Sequence, residues 1–198
     1  MEYSEVTQHL VLSEKPIRDA LKYQLSKRTG EICYTPIGII DELEIDGGKA
    51  RIDIALIDKC IHGYELKSDA DNLSRLPRQM HYYSKALDRI TLVVGYSLVF
   101  DALEMIPSWW GVQVVEKDQK GGITFVVIRD SHNNPNLDPF SMIRLLNAAE
   151  VCSVLSAKNI RFSTKSVSSG AVYSLMASHF SLQQIKCFVR QSLLTRTR

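Results

Sequence analysis

The chain has 198 residues, of which 45% are hydrophobic and 23% are charged, and its formal net charge is +2. This composition is typical of a globular protein with a full core, and with only 10 Gly and 6 Pro it excludes disordered and collagen-like classes. The longest apolar stretch, residues 90–100, is too short to cross a bilayer, and the first ten residues lack the pattern of a signal peptide. The sequence therefore predicts a cytoplasmic protein with no membrane partner.

The cysteines indicate a reducing environment. Cys33, Cys60, Cys152 and Cys187 are scattered, and no two of them form a CxxC pair. Spacing of this kind favours free thiols over a disulfide framework or a zinc site.

Charge is distributed unevenly along the chain. Residues 1–150 contain 17 Lys and Arg against 22 Asp and Glu, whereas residues 151–198 contain seven basic residues and no acidic one. An acidic body with a basic end suits a protein that holds a polyanion, although a basic end also serves solubility alone.

Periodicity predicts an α/β body. Residues 13–27 are expected to form a helix, since apolar side chains recur at helical spacing and Pro16 suits a first turn. A mixed apolar and acidic segment follows over residues 37–45. The remaining elements are expected as strands over 49–57 and 60–67 in a hairpin, a helix over 69–88, a buried strand over 90–95, a helix over 99–105, and strands over 112–115 and 123–128.

The C-terminal part is predicted to be helical. Residues 132–139 (HNNPNLDP) have the composition of a linker, and helices are expected over 140–156, 169–178 and 182–194. We therefore predict a body over residues 1–131 and a small, basic helical subdomain over residues 140–198.

The hairpin carries the side chains that are the strongest candidates for a metal or catalytic site. Strict alternation along the first strand would place Asp53 on one face with Arg51, Ala55 and Ile57. In the second strand, the residues of a Glu65-x-Lys67 pair must project to the same side. Two carboxylates beside a lysine suit a hard cation such as Mg²⁺, and Lys67 could orient an attacking water or stabilise phosphate charge. The alternative is an ordinary surface pair.

Flanking residues extend this pattern. Glu42, just upstream of the hairpin, could supply a third carboxylate, although its acidic neighbourhood is also typical of a solvated loop. Downstream, Gln79 and Tyr83 are four residues apart and share one helix face.

The order Glu42, Asp53, Glu65-Leu66-Lys67 and Gln79-x-x-x-Tyr83 resembles the PD-(D/E)xK nuclease superfamily, and its QxxxY element is similar to that of the RecB-like branch. The block over residues 49–95, with IPSWWGV and LLNAAE, is similar to a family of small bacterial proteins assigned to that superfamily. The resemblance implies a restriction-endonuclease-like αβββαβ core with a mixed sheet and a C-terminal helical cap. The strict Pro-Asp pair is absent, since Ile52 precedes Asp53.

The resemblance also implies a function. It predicts a Mg²⁺- or Mn²⁺-dependent deoxyribonuclease with Glu42, Asp53 and Glu65 as metal ligands and with Lys67, Gln79 and Tyr83 also in the catalytic site. DNA is the expected partner, and a homodimer is left open. The alternative is a non-catalytic nucleic-acid- or protein-binding module that retains the nuclease fold.

Further residues could contact phosphates or bases. Arg75 and Arg78 flank Pro77 beside the expected site and could hold phosphates, or could belong to a solvated helix face. Lys186 and Arg190 could bind DNA from the helical cap, unless those helices merely cover the sheet. The Trp109-Trp110 pair could stack on bases, but burial of a ring in the core is favoured.

Overall fold

A computed structural model describes residues 13–28, 37–118, 120–162 and 169–197. The α/β fold that the sequence predicts is confirmed. Its helices are α1 (Glu14–Arg28), α2 (Leu76–Ala86), α3 (Val99–Met105), α4 (Pro139–Ile143), α5 (Ala148–Ala157), α6 (Ser169–His179) and α7 (Leu182–Thr195), with a 3₁₀ turn at Tyr96–Leu98. Its strands are β1 (Gly38–Ile45), β2 (Ala50–Ile57), β3 (Ile61–Lys67), β4 (Arg89–Val94), β5 (Gly111–Lys117) and β6 (Ile123–Arg129).

The six strands form one mixed sheet in the order β1-β2-β3-β4-β5-β6. The pairs β1–β2, β2–β3 and β5–β6 are antiparallel, whereas β3–β4 and β4–β5 are parallel. The crossover from β3 to the parallel β4 runs through α2, which is the usual way to connect parallel neighbours. This connection brings α2 beside the hairpin that carries the ExK pair.

Helices cover both faces of the sheet. Three apolar residues of α1 pack against one face, where they share a core with residues of β2, β3, β4 and β5. The larger core lies on the other face, where α2, α3 and the C-terminal helices α4, α5, α6 and α7 pack together. The basic C-terminal helices therefore cover the sheet and share its main core.

The helix expected over residues 69–88 is shorter than predicted. It begins only at Leu76, with Pro77 in its first turn. Before that point the side chains of Asp71 and Asn72 accept hydrogen bonds from backbone N–H groups at Ser68 and Ser74. Short polar side chains that bind nearby backbone in this way stabilise turns at the expense of helix.

The helix expected over residues 140–156 is broken. α4 ends at Ile143, and α5 starts after Asn147 with a capping box in which Asn147 and Glu150 bind each other's backbone N–H groups. A reciprocal cap of this kind starts a new helix and overrides the apolar periodicity that runs through it.

The alternation expected along β2 is confirmed from Ile54 to Ile57 and is wrong at Ile52. Ile52 belongs to the same core as Ala55 and Ile57, whereas Ile54 belongs to the core under α1. The change of face occurs at Asp53, opposite Glu42 of β1, which lies between the paired residues Asp41 and Leu43 and has a positive φ of 54°. A left-handed residue departs from the extended conformation of its own strand, so the pairing of β1 with β2 is irregular at this point.

Smaller expectations agree with the structure. Trp109 and Trp110 are both buried, as favoured over base stacking. Cys60, Cys152 and Cys187 are free thiols, and Cys33 lies outside the described residues. In the ranges that the structure describes, no helix is long and apolar enough to cross a membrane.

Candidate functional site: a carboxylate cluster closed by Arg18

Glu65 lies at the centre of a buried hydrogen-bond network at the end of β3. Its Oε1 accepts from Lys67 Nζ and, at 2.5 Å, from Gln79 Nε2, and its Oε2 accepts from the Tyr83 hydroxyl at 2.8 Å. The Tyr83 hydroxyl also lies 2.5 Å from the Arg51 carbonyl. The side chains of Glu65 and Lys67 are only 2% and 5% exposed. Gln79 and Tyr83, which share one face of α2, therefore both face Glu65.

Asp53 occupies a separate position beside this network. Its Oδ2 accepts from the backbone N–H of Leu66 at 2.7 Å, and its Oδ1 lies 3.0 Å from Arg18 Nη2. A second nitrogen of Arg18 donates to the Asp53 carbonyl at 2.9 Å. The side chain of Asp53 thus bridges β3 and α1, a link across 35 residues of sequence.

Arg18 binds three carboxylates at once. Its Nη2 lies 2.5 Å from Glu14, 2.6 Å from Glu42 and 3.0 Å from Asp53. Glu42 is also paired with Arg51 at 2.5 Å. This carboxylate cluster of Glu14, Glu42 and Asp53 is therefore neutralised from within the chain by guanidinium groups.

Burial changes the protonation of two groups in the site. Burial, and then the negative charge of Glu65, raise the pKa of Asp53 to about 7. Burial and the neighbouring Glu65 likewise raise the pKa of Tyr83, so its hydroxyl stays protonated and serves as a donor. Burial is the larger cause of both pKa shifts, and the negative charge of Glu65 adds to it.

The predicted set of metal ligands is only partly brought together. Glu42 and Asp53 each place an oxygen within 4.8 Å of the other and of Glu14, which sequence reasoning missed. Glu65 instead binds Lys67 and residues of α2. Oxygen donors suit Mg²⁺, but the Arg18 guanidinium lies within 3.0 Å of all three clustered carboxylates. A cation there would have to lie against a fixed positive charge, so this arrangement does not fit the ion.

The site opens into a cavity of about 590 Å³. The carboxylate cluster and Glu65 both line this cavity. Its lining also includes three exposed basic residues, Arg51, Arg75 and Arg78. No side-chain partner is found for Arg75 within the described ranges, and the side chain of Arg78 has one bond, to the Lys49 carbonyl at 3.2 Å. The guanidinium groups of Arg75 and Arg78 are therefore available to a ligand, whereas Arg51 is paired with Glu42.

The other two expected phosphate contacts lie elsewhere. Lys186 Nζ is 2.5 Å from the buried carboxylate of Asp88, and Arg190 donates to the Lys59 carbonyl at 2.9 Å. Neither residue lines the cavity. That Lys186 and Arg190 contact DNA stays a prediction. In the structure, both side chains connect α7 to residues near the ends of β3 and β4.

Sequence reasoning missed Arg18 and Glu14. Their only local signal is the i, i+4 spacing of an acidic and a basic residue on α1, which is common on exposed helices. Their meeting with Glu42 and Asp53 depends on how α1 docks against the sheet.

Comparison with known proteins identifies the family. The family model described as bacteriophage P4 protein cII matches residues 12–198. The chain belongs to this protein cII family. A relative, protein cII of Enterobacteria phage P4, is 25% identical over 186 residues, which cover 94% of this chain and 68% of the relative. No solved structure matches.

Membership of the protein cII family corrects one prediction. The sequence analysis expects an enzyme, a Mg²⁺- or Mn²⁺-dependent deoxyribonuclease. This is wrong, because the matching family and the phage relative are both protein cII and not a nuclease. The residues of the expected catalytic site are present, and their hydrogen bonds need another explanation.

Proposed function

We propose that this chain is a non-catalytic nucleic-acid-binding module, with DNA as its partner, built on a restriction-endonuclease-like core. The observed order α1-β1-β2-β3-α2-β4 is the αβββαβ order that the superfamily resemblance implies, and this supports the proposed core. The buried ionic network then serves to fix the hairpin and α2 beside the cavity.

The observation that carries the proposal is the start of α2. Arg75 is its N-cap residue, Arg78 lies in its first turn, no acidic residue occurs in that turn, and no side chain caps it. The N-terminus of a helix carries positive partial charge, so basic side chains there are unfavourable unless an anion compensates them. Two exposed arginines at this end of α2 therefore favour a phosphate ligand.

The surroundings restrict which anion fits. The carboxylates deeper in the cavity are paired with Arg18 and Lys67, so they repel an approaching phosphate less than free carboxylates would. Both arginines are exposed at the rim of a wide cavity, which suits the accessible backbone of a polynucleotide.

The test is fluorescence anisotropy with labelled duplex DNA, single-stranded DNA and RNA over a series of salt concentrations. The slope of log K against log salt is negative, and each phosphate contact adds about 0.9 to its magnitude. If both arginines contact phosphates of a duplex, the double variant Arg75→Gln with Arg78→Gln should reduce that magnitude by about 1.8. The matched control removes two exposed lysines away from the cavity, Lys85 in the last turn of α2 and Lys117 at the end of β5. That control should retain the wild-type slope.

The outcome also separates the alternatives. Tighter binding to RNA than to DNA would change the assigned partner. An equal reduction of the salt dependence in both double variants would show that the start of α2 is not the binding site. Labelled DNA should be recovered intact after incubation with Mg²⁺ or Mn²⁺. Cleavage that disappears in Asp53→Ala protein would overturn the non-catalytic assignment.

A further inference from the structure

A groove of about 520 Å³ lies between α3 and the loop that precedes α2. Its lining includes three apolar side chains and three carboxylates: Leu73, Leu98, Met105, Asp71, Asp101 and Glu104. We call this surface the α3 groove. Neither Arg75 nor Arg78 lines it, so it is a different surface from the proposed nucleic-acid site.

The outer side of α3 exposes apolar side chains. Phe100 is 72% exposed, more than any other large apolar side chain in the described ranges, and Met105 is 38% exposed. Val99 and Ala102 lie in the main core, so the turn of the helix directs Phe100 away from that core. Phe100 also shares a helix face with Glu104, which lies four residues further on and lines the groove. An exposed ring beside an apolar groove marks a surface for another protein.

The charge of this surface is negative and uncompensated. Residues 69–73 and 96–105 together contain four carboxylates and no Lys or Arg. The two carboxylates of the loop accept hydrogen bonds from N–H and hydroxyl groups of serines, which are neutral donors. Within the described ranges, no basic side chain pairs with them or with Asp101 and Glu104. The α3 groove therefore attracts cationic groups.

We infer that the α3 groove binds a basic amphipathic helix of a partner protein. Apolar side chains on one face of the partner helix fill the groove over Leu73, Leu98 and Met105 and pack against the Phe100 ring. Lysines or arginines beside that face meet the four carboxylates. Because α3 has seven residues and is about 10 Å long, about two to three turns of a partner helix cover the groove.

Charge selects this occupant over the others. A nucleic acid would bring its phosphates against four carboxylates with no basic side chain between them, which is repulsive. In a two-fold pairing of α3 grooves each copy presents the same patch, so carboxylates of one copy would face carboxylates of the other. A basic partner instead gives the Phe100 ring an apolar contact and gives the carboxylates their counter-ions.

The test measures the binding of a fluorescein-labelled synthetic peptide by anisotropy, with no nucleic acid present. The peptide has about 14 residues, enough to form a helix, with leucines at positions i, i+3, i+4 and i+7 and lysines elsewhere. A matched peptide carries glutamate in place of every lysine. The wild-type chain should bind the lysine peptide at least about tenfold more tightly than the glutamate peptide, because only lysines pair with the carboxylates.

Two variants test the surface itself. Phe100→Ser removes the exposed ring, and the double variant Asp101→Lys with Glu104→Lys cancels the net negative charge of the four carboxylates. Each should weaken binding of the lysine peptide by at least about tenfold. The double variant should also lose the preference for lysine over glutamate, whereas Phe100→Ser should keep it.

Matched controls lie outside the α3 groove. Tyr23→Ser removes a ring of α1 that is 63% exposed, and Glu116→Lys with Asp130→Lys reverses two exposed carboxylates, one in β5 and one after β6. Both controls should keep the wild-type affinity for the lysine peptide. Thermal melts should show all four variants folded, since every substituted side chain is exposed.

The same measurements can contradict the inference. No binding of the lysine peptide, equal affinity of the wild-type chain for both peptides, or an equal loss of affinity in variants and controls would each overturn it. So would light scattering that gives twice the chain mass for wild type and one chain mass for Phe100→Ser, because a second copy would then occupy the groove. These outcomes leave DNA binding by Arg75 and Arg78 untouched, since the assay contains no nucleic acid.

Discussion

Lys67 and Glu65 form a buried ion pair whose loss should have a large and specific effect on stability. Both side chains are almost fully buried, and among the described residues Lys67 donates to one other acceptor, the Leu66 carbonyl at 3.2 Å. Removing one partner of a buried pair costs about 3–5 kcal/mol, because the other charge is left uncompensated. In Lys67→Met, Glu65 keeps its donors Gln79 and Tyr83, so the lower end, about 3 kcal/mol, is expected.

The double variant separates the pair from the packing of its side chains. Lys67→Met with Glu65→Gln removes both charges while the amide oxygen can still accept from Tyr83. Replacing a buried pair by neutral groups of similar volume is often close to neutral. The double variant should therefore regain most of the lost stability, which gives a coupling free energy of about 2–3 kcal/mol.

Urea unfolding and thermal melts measure this cycle. For a chain of this size, 3 kcal/mol corresponds to a decrease in Tm of about 6–12 °C. The control is Lys15→Met, which breaks an ion pair with Asp19 whose side chains are 85% and 63% exposed, and which should change stability by less than about 1 kcal/mol. A Lys67→Met cost below about 1 kcal/mol, or a double variant no more stable than the weaker single variant, would refute the reasoning.

Two further predictions concern other buried carboxylates. The pKa of Asp53 is raised from 3.8 to about 7, so between these values the folded protein holds a proton that the unfolded chain releases, and stability falls as pH rises. The stability of the Asp53→Asn variant should not decrease with pH in this way, so above pH 7 its free energy of unfolding should exceed that of wild type by up to about 4 kcal/mol. Urea unfolding at pH 4.5 and pH 7.5 measures the difference between variant and wild type. A difference that is the same at both pH values would contradict the prediction. Lys186→Met should cost about 2 kcal/mol of unfolding free energy because the Asp88 side chain, 6% exposed, loses its counter-ion. DNA affinity in that variant should be unchanged, and a loss of affinity at full stability would return Lys186 to the DNA interface.

The amino-acid sequence by itself determined most of the elements of the body. Residues 49–67 alternate and turn in a way that predicts the hairpin of β2 and β3, and the apolar run over residues 90–95 predicts the buried strand β4. The ExK spacing predicted that Glu65 and Lys67 share a face, and the i, i+4 spacing predicted the same for Gln79 and Tyr83, as the structure has them. These predictions succeeded because residues two apart on a strand, or four apart on a helix, share a face whatever the rest of the chain does.

Only the tertiary structure decided what surrounds these residues. The docking of α1 brings Arg18 among Glu14, Glu42 and Asp53, and the packing places Ile52 and Ile54 of β2 in different cores. Lys186, expected to face DNA, instead pairs with Asp88. Contacts between residues far apart in the chain follow from how helices and sheet pack, and neither periodicity nor spacing encodes which counter-ion a buried carboxylate will find.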